Sequence, residues 1–424
     1  MTFVTMAAVG SAAFLCRYQA GNRVMQSNRI ETLDRVRGVA LLGILVMNIQ
    51  AFSMPGVAYL NPHLFGSMEG ADGLVWLLSH VFADSKFIAL FSILFGAGVA
   101  LMAEKARAAG HSAAALHYRR TLVLGVIGAA HGFLVWYGDI LFVYALCALL
   151  VYLFLRLRPR TLLIVGGLVY LLPVALGIFN YATFEYWPEA AREGISMTIW
   201  SPDSPWTEAQ LAAYVGTWSE QQAQRFEDFT LYLVNVLPWQ MFWQAGGLML
   251  IGMALYRTGV LSGLKSTRFY GRLAVAGLAL GLPLIILGVQ QREAADWAFA
   301  WTYFVGGQFN YIAAPLVALA YMSLVVLACK LLRPGLLGRA LEAVGRTALS
   351  NYLLQSVICT ALFYGFGLGL FGQVPRTGQL GVVILIWGFQ LALSTWWVQR
   401  FHYGPVEWLW RAAARLQRPP MRKH

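Results

Sequence analysis

Apolar runs of roughly 20 residues, each long enough to cross a bilayer, recur along the whole chain and dictate what it can become. Backbone inside lipid must satisfy its own hydrogen bonds, so such runs are expected to be helices. About ten are read, over residues 37–54, 86–103, 119–136, 140–155, 161–179, 231–255, 272–290, 307–329, 347–367 and 379–399. The expected fold class is all-α: a polytopic integral membrane protein with about ten transmembrane helices. Composition agrees, since 59% of the 424 residues are hydrophobic and only 12% charged. A soluble domain carries about a quarter charged residues.

The formal charge of +12 raises the question of nucleic acid, but its distribution answers it. With these spans, Arg35, Arg37, Lys105, Arg107, Arg119, Arg120, Arg156, Arg257, Arg346, Arg400 and Arg411 fall on one side. The other side keeps only Lys86, Arg192, Arg225, Arg292 and Arg376, with most of the acids. That segregation follows the positive-inside rule and puts both ends of the ten-span core in the cytoplasm of a cell whose inner membrane holds the chain. The basic balance reports topology, and no nucleic-acid partner is expected. Cys16, Cys147, Cys329 and Cys359 sit in apolar surroundings without metal-type spacing and are expected to pack as small apolar residues.

Residues 1–28 read as an N-terminal extension, either interfacial or a consequence of the start site, with Met25 the alternative start. Residues 2–16 lack the basic n-region and cleavage site of a signal peptide. Residues 29–411 form the main domain and 412–424 a basic cytoplasmic tail. Within the main domain the one long connection, 180–230, is rich in acids and aromatics and lies on the outer side. Its second half, 207–229, contains no strong breaker except Gly216 and is expected to be one helix lying on the outer surface. A long loop in a tight protein is often functional, so this segment reads as an extracytoplasmic cap or lid. A short re-entrant or interfacial helix is expected over 72–82, ending at Asp84-Ser-Lys86. The cap divides a five-span half from another five-span half, without tandem repeat.

Charges packed against a membrane helix are costly to keep and usually have partners or a task. The first span opens with Glu31, Asp34, Arg35 and Arg37. Asp34 and Arg37 are three apart and so share a helical face. Asn48, close to four turns after Asp34, points the same way. A polar clamp between helices is the plain alternative. In the third span, counted from Arg119, His131 lies about 18 Å along the helix; Asn48, counted from Arg37, lies at about 16 Å. A histidine at that depth can serve as a general base near neutral pH, and Asp139, beyond the Tyr137-Gly138 turn, can orient it. Asn351 and Gln355 form an i, i+4 polar stripe on the ninth span, and Gln390 and Ser394 repeat the spacing in the tenth. Such amides either glue helices or contact substrate. His63, His80, His111 and His117 lie in loops or flanks without metal-like partners, so no metal site is expected. Gly96 and Ala100 give small-xxx-small spacing for close helix contact. The chain has no P-loop and no GxSxG elbow.

Five segments carry a family resemblance: Leu33-Asp-Arg-Val-Arg-Gly38, residues 86–96 (KFIALFSILFG), His131-Gly with Gly138-Asp-Ile-Leu141, residues 345–356 (GRTALSNYLLQS) and residues 404–410 (GPVEWLW). In this order, from about residue 29 to 411, they resemble the YeiB family. That family is grouped with transmembrane acyltransferases, including heparan-α-glucosaminide N-acetyltransferase and the acyltransferase 3 proteins, which open on a similar Leu-Asp-x-x-Arg at the first core helix. The resemblance implies transfer of an acyl group from cytosolic acyl-CoA to an extracytoplasmic acceptor hydroxyl or amine. Acyl-CoA is then a co-substrate, no tightly bound cofactor is expected, and the lipid bilayer is the standing partner. A homo-oligomer is compatible with this reading. Acyltransferase 3 proteins carry a histidine near the position held here by Asn48; the heparan-type branch resembles this chain in having asparagine there and a histidine elsewhere.

On that basis His131 and Asp139 are the candidate catalytic pair. Asp34, Arg35, Arg37, Asn48, Asn351 and Gln355 are the candidate substrate contacts, with Asp34 and Arg37 as the gate where the donor enters. The alternatives are a small-molecule transporter or exporter, disfavoured as a proton pump because almost no acid lies mid-span, and a membrane scaffold without catalysis.

Overall fold

The computed structural model describes residues 31–333 and 335–423; the reading of residues 1–28 and of Cys16 lies outside them. Among the described residues the chain is helical, with one isolated bridge between Phe401 and Arg422. In chain order the helices are α1 (Glu31–Ser53), α2 (Val57–Leu60), α3 (Gly70–Phe82), α4 (Lys86–Ala108), α5 (Ala113–Leu134), α6 (Leu141–Val151), α7 (Pro159–Thr183), α8 (Glu189–Ile199), α9 (Pro205–Val215) and α10 (Trp218–Leu231). After a π-helical stretch over Tyr232–Met241 come α11 (Phe242–Arg257), α12 (Thr267–Ala294), the single turn α13 (Phe299–Trp301), α14 (Gly307–Leu331), α15 (Leu336–Arg346), α16 (Ala348–Phe363), α17 (Arg376–Arg400) and α18 (Pro405–Arg415).

Each expected span falls on one of these helices. Six stretches are long and apolar enough to cross a membrane: α1, Gly70–Ala108, Pro159–Tyr186, α12, Phe299–Leu331 and α17. This is an all-α membrane protein. Its layering follows from side-chain pattern. In α1 apolar residues occupy almost the whole circumference, as a helix surrounded by protein requires. The most apolar window of α1 is 72% buried, against 28% for α7 and α12 and 22% for α17. Those outer helices instead present large apolar side chains to their surroundings: Ile164, Leu168 and Ile178 on α7, Val275 and Leu280 on α12, Leu385 and Phe389 on α17. Apolar surface exposed in such amounts suits lipid rather than water.

Glycine sets the closest crossings. A Cβ on Gly96 would strike the Met249 carbonyl, and one on Gly252 the Ile93 carbonyl, so α4 and α11 touch backbone to backbone at two reciprocal points. The same device brings α1 against α15, where a Cβ on Gly345 would strike the Asp34 carbonyl and one on Gly38 the Leu341 carbonyl. Small residues serve this purpose where lipid gives no hydrophobic drive to helix association.

Two expectations change. The stretch over 207–229 is not one helix: Gly216 ends α9, and Thr217 starts α10 with a capping box, its N–H and Oγ1 each 2.7 Å from Glu220 Oε2. Reciprocal capping satisfies the orphan N–H groups of a new helix start, so the chain restarts there at little cost. The expected span over 231–255 begins as π-helix around Pro238, which lacks the N–H an α-helix interior needs.

Candidate functional site

The C-terminal end of α5 delivers His131, buried to 3% exposure, and the following turn brings back Asp139, fully buried. Nδ1 of His131 lies 2.7 Å from Asp139 Oδ2. An ionised carboxylate only accepts, so Nδ1 donates to it, and in the neutral imidazole the lone pair is then on Nε2. Asp139 Oδ1 accepts the Phe142 N–H at 2.7 Å, which ties the carboxylate to the first turn of α6. Nε2 is buried and has no protein hydrogen-bond partner. Gly138 makes the turn possible, because a Cβ there would run into the Trp136 ring.

Trp136 links this pair to α1. Its ring lies 6.4 Å from that of His131 and stacks on Phe52 at 4.0 Å, and its Nε1 donates to the Ala51 carbonyl at 3.4 Å. Asn48, half-buried, stands four residues before Phe52 and so on the same face of α1. From the other side Tyr352 of α16 closes on His131 at 5.4 Å between ring centroids and accepts the Ile140 N–H at 3.4 Å.

The cap covers this end of the bundle. Gln222 and Arg225 of α10 donate to the last carbonyls of α5, at Phe133 (2.5 Å) and Leu134 (2.9 Å). Phe229 packs where Gly132 leaves room. Inside the cap Asp228 gathers four donors: Trp206 Nε1 (2.9 Å), Gln224 Nε2 (3.0 Å), Gln210 Nε2 (2.9 Å) and Tyr214 Oη (2.6 Å). Burial, reinforced by the nearby Tyr364 and Asp228, holds the Tyr214 hydroxyl protonated far above its ordinary range. Gln210 also accepts the Gly56 N–H at 2.8 Å, and Gly365 donates to the Tyr214 carbonyl at 2.8 Å. The cap is therefore stitched to the end of α5 and to the loops at Gly56 and Gly365.

At the opposite end of α1, Arg37 Nη1 donates to Asp34 at 2.8 Å. Arg35 turns elsewhere: it pairs with Glu342 at 3.1 Å and Glu31 at 3.4 Å, and meets the Cys329 sulfur at 3.4 Å. Asn351 and Gln355 face α17. Asn351 Nδ2 donates to Ser394 Oγ at 2.8 Å, Gln355 Nε2 to Gln390 Oε1 at 2.9 Å, and Gln390 Nε2 back to the Asn351 carbonyl at 2.8 Å. In this structure both amides join α16 to α17. Among the described residues no group of three histidine, cysteine or carboxylate side chains is placed to hold a metal.

A second buried polar cluster escaped the sequence reading. His80 Nδ1 lies 3.0 Å from Asp84 Oδ2, which also accepts Asn310 Nδ2 at 2.9 Å, while Tyr59 donates to Oδ1 at 2.8 Å. Lys86, fully buried, donates to the His80 carbonyl (2.6 Å) and Asn310 Oδ1 (2.5 Å). The i, i+4 spacing of His80 and Asp84 was available in the sequence, but Asn310 was not. The cluster pins α3 between α4 and α14, with Ser85 in the left-handed region at φ 65° making the corner.

The uncharacterized protein YeiB of Escherichia coli (strain K12) is 36% identical to this chain over 387 residues, covering 90% of the chain and 94% of that protein. The chain belongs to the YeiB family. The uncharacterized protein YxaH of Bacillus subtilis (strain 168) is 32% identical over 418 residues, with 94% of this chain and 97% of that protein covered. A family model described as a protein of unknown function, DUF418, matches residues 255–417, which include α15, α16 and α18 but neither α1 nor His131. No solved structure matches the chain with significance.

Proposed function

We propose that this protein is a transmembrane acyltransferase of the cytoplasmic (inner) membrane. It passes an acetyl-like acyl group from cytosolic acyl-CoA to a hydroxyl or amine acceptor on the far side. In this reading the chain crosses the membrane about ten times, and the end of α1 that carries Glu31 faces the cytoplasm. The observation that carries the reading is the buried His131–Asp139 pair, with Nε2 unpartnered beneath the cap.

The chemistry follows from that geometry. Nε2 takes the acceptor's proton as its oxygen or nitrogen attacks the thioester carbonyl, and Asp139 stabilises the imidazolium that forms. Collapse of the tetrahedral intermediate breaks the carbon–sulfur bond. The departing thiolate recovers the proton from His131. Asn48, on the face of α1 that meets Trp136, is the amide we assign to orienting the reacting groups. Asp34 and Arg37 mark the donor's entrance, with Arg35, which Glu31 and Glu342 hold in place, beside them.

The test uses full-length protein in proteoliposomes with labelled acetyl-CoA and a panel of amine and hydroxyl acceptors. Abolition of transfer by His131→Ala, with the fold retained, supports the assignment; transfer at the wild-type rate overturns it. Thermal stabilisation by acyl-CoA, which a ligand bound only by the folded state must produce, is the companion measurement.

A further inference from the structure

Four arginines from four helices converge at the end of the bundle that carries Glu31. Arg37 lies on α1, Arg120 on α5, Arg346 in the last turn of α15, and Arg411 on α18. Arg37, Arg346 and Arg411 are all within electrostatic reach of Asp34, and Arg120 and Arg411 are within reach of each other and of Arg37. The segments at residues 345–356 and 404–410 meet here for a visible reason. Glu407 of α18 accepts the N–H groups of Leu349 (2.6 Å) and Ser350 (3.1 Å) and the Ser350 hydroxyl (2.5 Å), capping the start of α16.

That cap decides the charge balance. Glu31 and Glu342 are taken up by Arg35, and Glu407, the carboxylate within reach of Arg411, already accepts three backbone and hydroxyl bonds. Asp34, which bonds Arg37, is the other carboxylate here and reaches Arg346 and Arg411 as well, while Arg415 of α18 adds a further positive charge near Arg120 and Arg411. Arg120 and Arg411 are held by aromatic faces instead: the Arg120 guanidinium lies 4.1 Å from the Trp410 ring centre and that of Arg411 4.7 Å from the Tyr403 ring centre. Trp410 is itself fixed, its Nε1 donating to the Arg120 carbonyl at 2.7 Å. Stacking orients a guanidinium without cancelling its charge. Arg37, Arg120, Arg346 and Arg411 are all half-buried, so their mutual repulsion is not fully dissipated by solvent.

We infer that Arg37, Arg120, Arg346 and Arg411 form a binding site for clustered phosphate groups. Planar guanidiniums presented from several directions match phosphate oxygens two at a time, whereas a lone carboxylate would satisfy only one of them. The inference deepens the acyl-CoA reading, on which it rests only for naming the nucleotide phosphates of the donor as the ligand. An anionic lipid headgroup offers the same chemistry.

Full-length protein in phosphatidylcholine nanodiscs is titrated with adenosine 3′,5′-bisphosphate and with inorganic pyrophosphate. Wild-type protein is expected to bind both, with affinity falling as salt rises. The double variant R346Q/R411Q is expected to weaken binding by about a hundredfold, roughly tenfold for each guanidinium–phosphate pair removed. Arg411→Lys keeps the charge without the fork and guards against a folding artefact; it is expected to weaken binding by about tenfold. A parallel arm compares retention of phosphatidylglycerol by native mass spectrometry. Selective retention of that lipid in wild-type but not in R346Q/R411Q, with no bisphosphate binding, keeps the site and assigns it to a headgroup. Bisphosphate binding lost in the variant, in a protein that transfers no acyl group, keeps the site and removes the acyltransferase reading. Failure of wild-type protein to take up any of these phosphate compounds, or equal binding by wild-type and variant, overturns the inference.

Discussion

Replacing Asp139 by asparagine isolates the catalytic claim from the fold. The carboxylate serves two donors at once, His131 Nδ1–H at 2.7 Å and the Phe142 N–H at 2.7 Å, one on each oxygen. Asparagine has the same shape but a single acceptor oxygen. The Phe142 N–H is fixed in the backbone, so the amide oxygen goes to it and the amide NH2 turns to His131. A donor facing Nδ1 forces the imidazole into its other tautomer, with hydrogen on Nε2. The base then points its hydrogen where its lone pair was needed. Loss of a general base costs about 10²–10⁴ in rate, and loss of the charge-assisted bond costs about 1.5–3 kcal/mol of stability. His131→Ala is harsher on the fold, since it leaves one oxygen of the buried carboxylate without a donor, at about 1–3 kcal/mol, and empties the volume of the ring as well. The assay is release of free CoA thiol from acetyl-CoA in proteoliposomes loaded with amine and hydroxyl acceptors, alongside a melting curve. The expected result is a folded Asp139→Asn protein at least a hundredfold slower, by the same general-base range of roughly 10² or more. Turnover unchanged in a folded Asp139→Asn protein would refute the tautomer argument.

Gly345→Ala should lower stability by about 1–3 kcal/mol, since the new methyl meets the Asp34 carbonyl where neither backbone can withdraw; a thermal midpoint in detergent checks it. Asp228→Asn leaves two of the four cap donors facing an NH2 group, so about 3 kcal/mol or more of local stability goes, at roughly 1.5 kcal/mol per charged hydrogen bond. Protease should then cut α9–α10 faster in intact vesicles while α1 stays protected. Burial raises the Glu407 carboxyl above its ordinary value of 4.5 despite the hydrogen bonds it accepts. A raised acid favours the protonated folded form, so stability is expected to fall as pH climbs from that ordinary value through the shifted one. Glu407→Gln should flatten this pH dependence, measured as unfolding midpoint against pH.

What the sequence disclosed and what it withheld separate along one physical line. Span positions follow from hydropathy, a local property, and each expected span lies on a helix. The His131–Asp139 pairing was legible because only a tight turn lies between them. Arg35 was not: Glu342, which holds it, is 307 residues away. The partners of Asn351 and Gln355 were half visible, since Gln390 and Ser394 repeat their spacing, but which face of α16 met α17 depended on packing. The break at Gly216 was missed although Thr217-Trp-Ser-Glu220 is a capping box in plain view. Asp84 read only as part of the end of a short helix, because its acceptor duties involve Tyr59 and Asn310, 25 and 226 residues distant.

The enclosure of α1 has a consequence for how the protein is made. A helix synthesised early meets lipid before its protein neighbours exist. Several groups that cover α1 come late: Gly345 against Asp34, Gln355 donating to the Leu41 carbonyl at 3.4 Å, and Trp387 donating to the Leu42 carbonyl at 2.8 Å. Assembly therefore closes a loop of 314 residues between Leu41 and Gln355, and Asp34 and Asn48 wait at the membrane until the later helices arrive. Phe87 and Trp136 cover part of α1 earlier in the chain, but a chain that stops before α15 leaves the face at Asp34, Leu41 and Leu42 without its protein neighbours.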